Sequence, residues 1–333
     1  MSASWQPIPI HTIEGFRIGH STNLEAATGC TVIVAPEGAT GGVDVRGGAP
    51  ASRETDLLRP ENTVEVVNAV CLSGGSAFGL EAASGVAREL EARGIGLDVG
   101  VARVPIVCSS CIFDLAFGSA TVRPGVAEGI EATRAALDTE PAPVAEGTVG
   151  AGTGATVGKL NGPTTLMKGG LGARARAAGE LKIGAISVVN ACGNVVDPTT
   201  GAAIAGMRAA ADSLEIASME DAMLAAVEHL AMPLDRTNTT ISCIITNARL
   251  TKAQATKLAQ MAADAYAHTI RPTHTTNDGD TIYVLASDAL GDRAFPLDVL
   301  GVAATRVLEE AICAGCLSAD GIHGAPAFKD LHK

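Results

Sequence analysis

The sequence predicts a mixed α+β protein built from stacked layers of helices and sheets. Five stretches have the apolar period of a helix, and five short runs rich in Val, Ile and Thr have the composition of a strand. Most of these runs are apolar on both faces, which is typical of sheets buried between two layers. Helices and strands intermix without a strict alternation, so the pattern favours stacked layers over a doubly wound sheet.

The helical periods are defined by the spacing of their apolar residues. The first, residues 77–93, carries Phe78, Leu80, Ala83, Val86 and Leu90 at roughly helical spacing and ends at Gly94. The other helical periods lie at residues 125–137, 219–230, 252–268 and 298–314. The strand runs lie at residues 31–35, 65–72, 184–190, 240–246 and 281–286.

Two segments between these elements are predicted to be connections. Residues 139–146, "TEPAPVAE", are rich in Pro and indicate a surface loop. Residues 232–237 contain Pro233, which ends the preceding helix. This second segment is the best candidate for a connection that could be cut without removing a packed element.

The composition indicates a globular protein and excludes some partners. Of 333 residues, 47% are apolar and only 3% are aromatic, so Ala, Val, Ile and Leu must fill a core large enough for one domain or two. The net charge is −12, and no cluster of Lys or Arg interrupts it. Nucleic acid is therefore not an expected partner, because phosphate binding needs a basic face. A small-molecule or peptide-like substrate is expected.

The chain start and the cysteines predict a cytoplasmic protein. Residues 1–11 have neither the basic nor the apolar region of a secretory signal, and no apolar run approaches the length of a membrane span. The eight cysteines are then expected to be reduced. Two CxxC pairs, Cys108/Cys111 and Cys313/Cys316, could bind zinc if the fold brought them together. Their small and apolar surroundings favour buried, hydrophobic cysteine instead.

Two glycine-rich segments do not fit the nucleotide-binding and hydrolase motifs that they suggest. In "GTVGAGTGATVGK", residues 147–159, Thr153 stands where a phosphate loop needs its first glycine, and Leu160 follows Lys159. The glycines would instead allow close backbone approach and leave Lys159 either near a ligand or on the surface. In "SGGSAFGL", residues 73–80, Phe78 replaces the last glycine of a nucleophile elbow, and Ser76 is better interpreted as a helix N-cap.

Two polar groups stand next to predicted strands. Asp278 and Asp280 flank Gly279 before the last strand run, and they form either an Asp-Gly turn or a carboxylate pair that shares a proton and holds an amine. Asn190 ends another strand run, either as an ordinary exit or as an amide donor to an oxyanion. The seven histidines are scattered and give no support to a His-based triad.

The stretch "DRTNTTIS", residues 235–242, places Asn238, Thr239 and Thr240 at the mouth of a buried strand. Threonine favours strands, so a strand edge after a turn is the simpler interpretation. The alternative is that the Asn238–Thr239 bond is cut by the protein itself, which would free Thr239 as an N-terminal nucleophile.

The ordered set of motifs resembles that of the DmpA-type self-processing peptidases of family S58. This group includes the L-aminopeptidase/D-amidase-esterase, β-peptidyl aminopeptidases, nylon-oligomer hydrolase and pantetheine hydrolase. The resemblance covers residues 16–324. Its motifs are "VRGGAPASRETDLL" (45–58), "LSGGSAFGLEAA" (72–83), "VGAGTGATVGK" (149–159), "KGGLG" (168–172), "NTTI" (238–241), "TNARLTK" (246–252) and "DGDT" (278–281).

The resemblance implies a single domain, residues 1–333, that cuts itself into fragments 1–238 and 239–333 which stay packed together. Thr239 would then be the nucleophile of an amidase or aminopeptidase acting through an acyl-enzyme. The family's acidic pair falls on Asp278 and Asp280, its oxyanion-side asparagine on Asn190 and its lysine on Lys159. A threonine with two aspartates is most similar to the nylon-oligomer hydrolase type.

The resemblance also implies a four-layer αββα sandwich like that of N-terminal-nucleophile hydrolases, and a homo-oligomer, often a tetramer. It implies no cofactor or metal. One departure is Phe113, which stands where some members have a tyrosine and has no hydroxyl to donate to an oxyanion or substrate. The expected substrate is a small peptide or amide. Two alternatives stay open: a non-peptide amide of the pantetheine or nylon-oligomer kind, and a binding protein that does not process itself.

Overall fold

The computed structural model describes residues 5–225 and 238–331. Its strands are β1 Gln6–Ile8, β2 Arg17–Asn23, β3 Thr28–Val45, β4 Ser52–Arg53, β5 Val66–Ser73, β6 Leu97–Asp98, β7 Arg103–Val104, β8 Val107–Cys111, β9 Thr156–Val157, β10 Met167–Lys168, β11 Gly170–Ala178, β12 Leu181–Asn190, β13 Asn194–Val196, β14 Ala203–Ala205, β15 Thr239–Thr246, β16 Ile270–Arg271 and β17 Thr281–Ala286. Its α-helices are α1 Ala82–Ala92, α2 Val126–Leu137, α3 Met219–Ala225, α4 Lys252–Ala262, α5 Asp264–Thr269, α6 Leu297–Leu317 and α7 Phe328–Leu331.

Ten of the strands form one sheet, in the order β1-β11-β12-β15-β17-β3-β5-β8-β4, with β2 also paired to β3. The pairs β15–β17 and β5–β8 are parallel, and the other pairs are antiparallel. The 18-residue β3 belongs to both halves of the sheet: its first part pairs with β5, and its last part pairs with β17. The register is irregular between Val34 and Ala39, where the strand passes from one half to the other.

Three apolar cores separate four layers. One core lies between α4–α6 and one face of β12, β15 and β17. A second lies between the two halves of the sheet, and a third lies between the other half and α1 and α2. Alternation along single strands shows this arrangement, because Cys243 and Ile245 face the second core while Ile244 faces the first. The order is therefore αββα, as predicted.

Most predicted elements are found, with local differences at their ends. The predicted helix 77–93 begins as a 3₁₀ turn at Ser76–Glu81, and α1 follows it. The N-cap role of Ser76 is wrong: Ser76 has φ 54° and lies inside the turn, and no side chain caps it. The predicted helix 252–268 is divided between α4 and α5. The end of the predicted helix 219–230 and the connection 232–237 lie outside the described residues.

The two CxxC pairs lie in different parts of the structure. Cys108 packs in the core between the two halves of the sheet. Cys316 belongs to α6 and packs in the core between α4–α6 and strands β12, β15 and β17. Burial raises the pKa of the Cys108 thiol to about 12. Across the two described ranges, no three His, Cys, Asp or Glu side chains are grouped to hold a metal ion. In the same ranges, no helix is long and apolar enough to cross a membrane.

Candidate active site

Adjacent strands in the middle of the sheet bring four of the predicted site residues together near their ends. Thr239, the first residue of β15, pairs directly with Asn190, the last residue of β12. On the other side of β15, Asn238 forms a parallel bridge with Asp278, just before β17 begins. Strands that are distant in the sequence therefore place an asparagine, a threonine and an aspartate side by side.

Thr239 and the peptide bond before it are in direct contact. Thr239 is only 4% exposed, and its hydroxyl donates a hydrogen bond to the carbonyl oxygen of Asn238. The backbone N–H of Gly279 donates to the same oxygen at 3.2 Å. A Cβ atom at residue 279 would lie 2.9 Å from the Thr239 hydroxyl oxygen, so the glycine leaves room for it. The Asn238 carbonyl is thus polarised by two donors, one of which is the hydroxyl of the next residue.

Asp280 is held by a complete set of donors. Its Oδ1 accepts from the Thr240 N–H at 2.7 Å. Its Oδ2 accepts from the Thr273 hydroxyl at 3.2 Å and from the His274 N–H at 3.1 Å, and lies 2.9 Å from His274 Nδ1. Because the carboxylate is buried and bonded on both oxygens, its position and that of the Thr240 backbone are coupled.

Asp278 has a different environment. Its Oδ2 accepts from the Thr275 N–H at 2.7 Å, and the side chain is buried beside Asp280. Burial, followed by repulsion from Asp280, raises the pKa of Asp278 to about 6. The Lys159 charge opposes this rise. The charge of Asp278 therefore changes near pH 6, as expected for a carboxyl group that is buried beside a second carboxyl group.

Asn190 and Lys159 form the opposite side of the site. The side-chain oxygen of Asn190 accepts from Lys159 Nζ at 2.8 Å and from the Thr156 N–H at 3.0 Å. The Asn190 carbonyl also accepts from Lys159 Nζ, at 3.0 Å. Two donors on one oxygen define the orientation of the amide, so its nitrogen is the donor end. That nitrogen donates to the Phe113 carbonyl at 3.0 Å.

Lys159 is partly buried, and its ammonium group is enclosed between Asn190 and neighbouring charges. Burial lowers its pKa to about 7, against the attraction of Cys192, Asp278 and Asp114. The interpretation of Lys159 as an ordinary surface lysine is therefore not the one that the structure supports. Phe113, which stands where some family members have a tyrosine, contacts this group through its backbone carbonyl.

Three further side chains contact this region and were not among the predicted site residues. His274 lies against Asp280, and Tyr266 donates from its hydroxyl to the Thr240 carbonyl at 3.1 Å. Asp114 is buried and accepts from the Thr28 hydroxyl at 2.6 Å and the Gly75 N–H at 2.7 Å. The available signal for His274 was its position six residues before Asp280, in a turn. Tyr266 and Asp114 had no comparable signal, since both come from elements distant in the chain.

The chain is similar to proteins of one peptidase family over nearly its whole length. A model of peptidase family S58 matches residues 9–328. An uncharacterized aminopeptidase of Mycobacterium tuberculosis is 40% identical over 350 residues, covering 97% of each chain. A 6-aminohexanoate-oligomer endohydrolase of Paenarthrobacter ureafaciens is 32% identical over 309 residues, covering 90% of this chain and 83% of that enzyme.

Two solved structures have a similar fold. The L-aminopeptidase D-Ala-esterase/amidase of Ochrobactrum anthropi, described as a variant of the N-terminal-nucleophile hydrolase fold, superposes with a TM-score of 0.67 and 18% identity over 99% of this chain and 94% of that one. A Burkholderia sp. β-aminopeptidase gives a TM-score of 0.65 and 21% identity over the same shares. These likenesses confirm the predicted fold class.

Proposed function

The chain belongs to peptidase family S58, and on that premise we propose that it cuts its own Asn238–Thr239 bond and then hydrolyses amides through Thr239. It is a hydrolase of the aminopeptidase and amidase kind. The observation that carries the proposal is the contact between the Thr239 hydroxyl and the Asn238 carbonyl, with the Gly279 N–H on the same oxygen. Nucleophile, electrophile and a backbone donor are thus already together in the uncut chain.

Self-cleavage would begin with attack of Thr239 Oγ1 on the carbonyl carbon of Asn238. The hydroxyl proton passes to a base, the carbonyl oxygen becomes an oxyanion beside the Gly279 N–H, and the C–N bond breaks as its nitrogen gains a proton. The product is an ester between Asn238 and the Thr239 side chain. Water then hydrolyses this ester, which leaves a carboxylate on Asn238 and both a hydroxyl and a free amine on Thr239.

The freed amine supplies the base for substrate hydrolysis. A threonine hydroxyl needs a base to react near neutral pH, and an N-terminal amine with a pKa of about 7.7–8.0 titrates in the right range. It would accept the hydroxyl proton, directly or through water, while Oγ1 attacks the substrate amide. The acyl-enzyme that results is released by water, with the proton flow reversed.

We assign oxyanion stabilisation to the second N–H of the Asn190 amide, since the amide oxygen is held by Lys159 and Thr156 and the other N–H by the Phe113 carbonyl. Removal of one such donor typically costs about 2.7–4 kcal/mol in the transition state. Asp278, which titrates near pH 6, would hold the Thr239 or substrate amine. Asp280 would fix the peptide that follows Thr239, since it binds the Thr240 N–H.

The proposed substrate is a small peptide or amide. The aminopeptidase name of one relative favours a peptide, and the 6-aminohexanoate-oligomer endohydrolase name of another favours a non-peptide amide as the second candidate. We further propose a single domain of residues 1–333 that yields fragments 1–238 and 239–333. A cytoplasmic homo-oligomer is proposed as the working form of the enzyme.

Matched valine substitutions at the two adjacent threonines test the nucleophile. Thr239→Val removes the proposed reacting hydroxyl and nearly preserves the side-chain shape. Thr240→Val is the control, because Thr240 Oγ1 is buried without a hydrogen-bond partner among the described residues. Intact mass spectrometry should find two fragments in the wild type and in Thr240→Val, but one 33.5 kDa chain in Thr239→Val.

Edman sequencing of the smaller fragment should begin at Thr239, and only the variants that are cut should hydrolyse a dipeptide or an amino-acid amide. Two fragments from Thr239→Val, or a wild type that stays intact after long incubation, would contradict the proposal. An intact wild type without hydrolase activity would favour a binding protein that does not process itself.

A further inference from the structure

The peptide that follows the proposed nucleophile is clamped on both sides of Thr240. The Thr240 N–H, which belongs to the peptide joined to Thr239, donates to Asp280 Oδ1 at 2.7 Å. The Thr240 carbonyl accepts from the Tyr266 hydroxyl at 3.1 Å. Thr240 is 1% exposed, and both partners are buried. These two bonds therefore fix the backbone immediately after Thr239.

One residue contacts both halves of this clamp. His274 donates its backbone N–H to Asp280 Oδ2 at 3.1 Å, and its ring Nδ1 lies 2.9 Å from the same oxygen. Its imidazole also stacks on the Tyr266 ring, with centroids 5.5 Å apart and planes inclined by 20°. An ionised carboxylate can only accept, so this contact is a hydrogen bond when the proton is on Nδ1.

His274 has a backbone conformation that few residue types adopt easily. Its φ of 55° lies in the left-handed region, which residues other than glycine adopt rarely and which His, Asn and Asp tolerate best. This conformation directs both the backbone N–H and the ring nitrogen of one residue to a single carboxylate oxygen. The turn thus holds Asp280 with two donors from His274 in addition to the Thr273 hydroxyl.

We propose that His274 is a positioning residue, which holds Asp280 and Tyr266 so that Thr239 Oγ1 stays aligned with the carbonyl it attacks. This inference rests on the proposed function, because it takes Thr239 as the nucleophile. In this arrangement Asp280 is fixed by its donors and sets the geometry of the peptide that follows Thr239. Loss of the Nδ1 donor would release Asp280 and, with it, the peptide that follows Thr239.

Substitution by Asn and by Asp gives a matched test. Both side chains have the same shape and both tolerate a positive φ, so neither adds backbone strain. Asn places an amide N–H near the position of Nδ1 and can donate to Asp280, whereas Asp cannot donate and repels it. Both variants lose the stacking on Tyr266 equally. A difference between them therefore reports the donor to Asp280 together with the charge repulsion that replaces it in the Asp variant.

We expect His274→Asn to keep kcat within about tenfold of the wild-type value, as for loss of part of one hydrogen bond. His274→Asp should lower kcat at least about 100-fold, with KM changed little, because the nucleophile is displaced while substrate contacts are kept. The rate of self-cleavage after synthesis should fall in the same order. Tyr266→Phe, which keeps the stacking ring but loses the hydroxyl, should lie between the two.

The outcomes separate this inference from the proposed function. If the wild type is cut at Thr239 but both His274 variants hydrolyse substrate equally well, His274 does not position the site and the inference is overturned. If the wild type is not cut, the proposed nucleophile is wrong, and the inference that His274 keeps it aligned is overturned together with the proposed function. Equal thermal unfolding temperatures in the two variants exclude a difference in folding as the cause.

Discussion

Lys159 lies just after β9 and Lys168 is the last residue of β10, and burial lowers the pKa of both ammonium groups to about 7. Their partners differ. Lys159 binds the side-chain oxygen and the carbonyl of Asn190, next to the proposed nucleophile. Lys168 donates to backbone carbonyls, those of Gly152 at 3.5 Å, Thr153 at 2.9 Å and Ala155 at 2.6 Å.

The difference shows that a perturbed pKa does not by itself identify a catalytic lysine. Lys168 holds the turn that leads into Thr156, whose N–H binds Asn190, so its connection to the site is indirect. Lys159 contacts the side-chain amide of Asn190, the proposed oxyanion donor. Burial is common to both side chains, and the group that each ammonium binds is what distinguishes a site residue from a support.

The largest expected effect is a difference in hydrolytic activity between the Lys159 and Lys168 variants. Lys159→Met should lower kcat/KM by about 100-fold or more, because the Asn190 amide loses a donor that fixes its orientation for the proposed oxyanion contact. Lys168→Met is the matched control and should keep kcat/KM within about tenfold, provided that the protein folds. Steady-state hydrolysis of one amide substrate, with circular dichroism of both variants, measures this. Equal losses in two folded variants would remove the distinction.

Features that neighbouring residues determine could be predicted from the sequence, whereas features that depend on contacts between distant residues could not. The strand runs 184–190, 240–246 and 281–286 were predicted because a buried strand is locally apolar, and β12, β15 and β17 confirm them. Their order in the sheet was not visible in their residues, yet it is this order that places Asn190 beside Thr239. The resemblance to family S58 suggested these residues as partners; local patterns alone left each of them ambiguous.

The supporting residues could not be predicted for a related reason. The contact of His274 with Asp280 requires a positive φ in the turn, which no residue pattern there demands. Lys168 was visible only as part of a motif, because a bond to backbone carbonyls depends on how a glycine-rich segment folds back. The sequence shows which side chains are present. It does not show how deeply they are buried, and the burial that lowers a lysine pKa depends on residues that are distant in the chain.

A smaller effect concerns the pH dependence of stability. Lys168 is fully buried and has a pKa lowered to about 7, whereas an unfolded lysine titrates near 10.5. Between these values the unfolded state binds the proton and the folded state does not, so stability rises with pH; below pH 7 the penalty for burying the charge is complete. Lys168 should thus add about 1 kcal/mol to the free energy of unfolding between pH 7 and 8.

Urea unfolding at pH 7 and pH 8 tests this prediction. Lys168→Met should show a rise smaller by about that amount than the wild type, since the titrating group is gone. Lys159→Met should flatten the rise as well, because its pKa is lowered in the same direction. A rise that is unchanged in Lys168→Met would mean that its ammonium keeps its proton in the folded protein.

The smallest expected effect comes from the charge that the two lysines share. The carboxylate of Asp114 favours the charged form of both Lys159 and Lys168, against the larger effect of burial. Asp114 accepts hydrogen bonds from the Gly75 N–H and the Thr28 hydroxyl. An Asn side chain can keep both contacts, because its oxygen can accept from the Gly75 N–H and its nitrogen can donate to the Thr28 hydroxyl. Asp114→Asn should therefore fold normally and lower kcat/KM at pH 7 by about two- to threefold, because a smaller fraction of Lys159 is charged. Since Lys159, and not Lys168, donates to Asn190 in the described contacts, this loss should disappear in a Lys159→Met background and persist in a Lys168→Met background. The reverse pattern would mean that the charge of Lys168, and not that of Lys159, matters for activity.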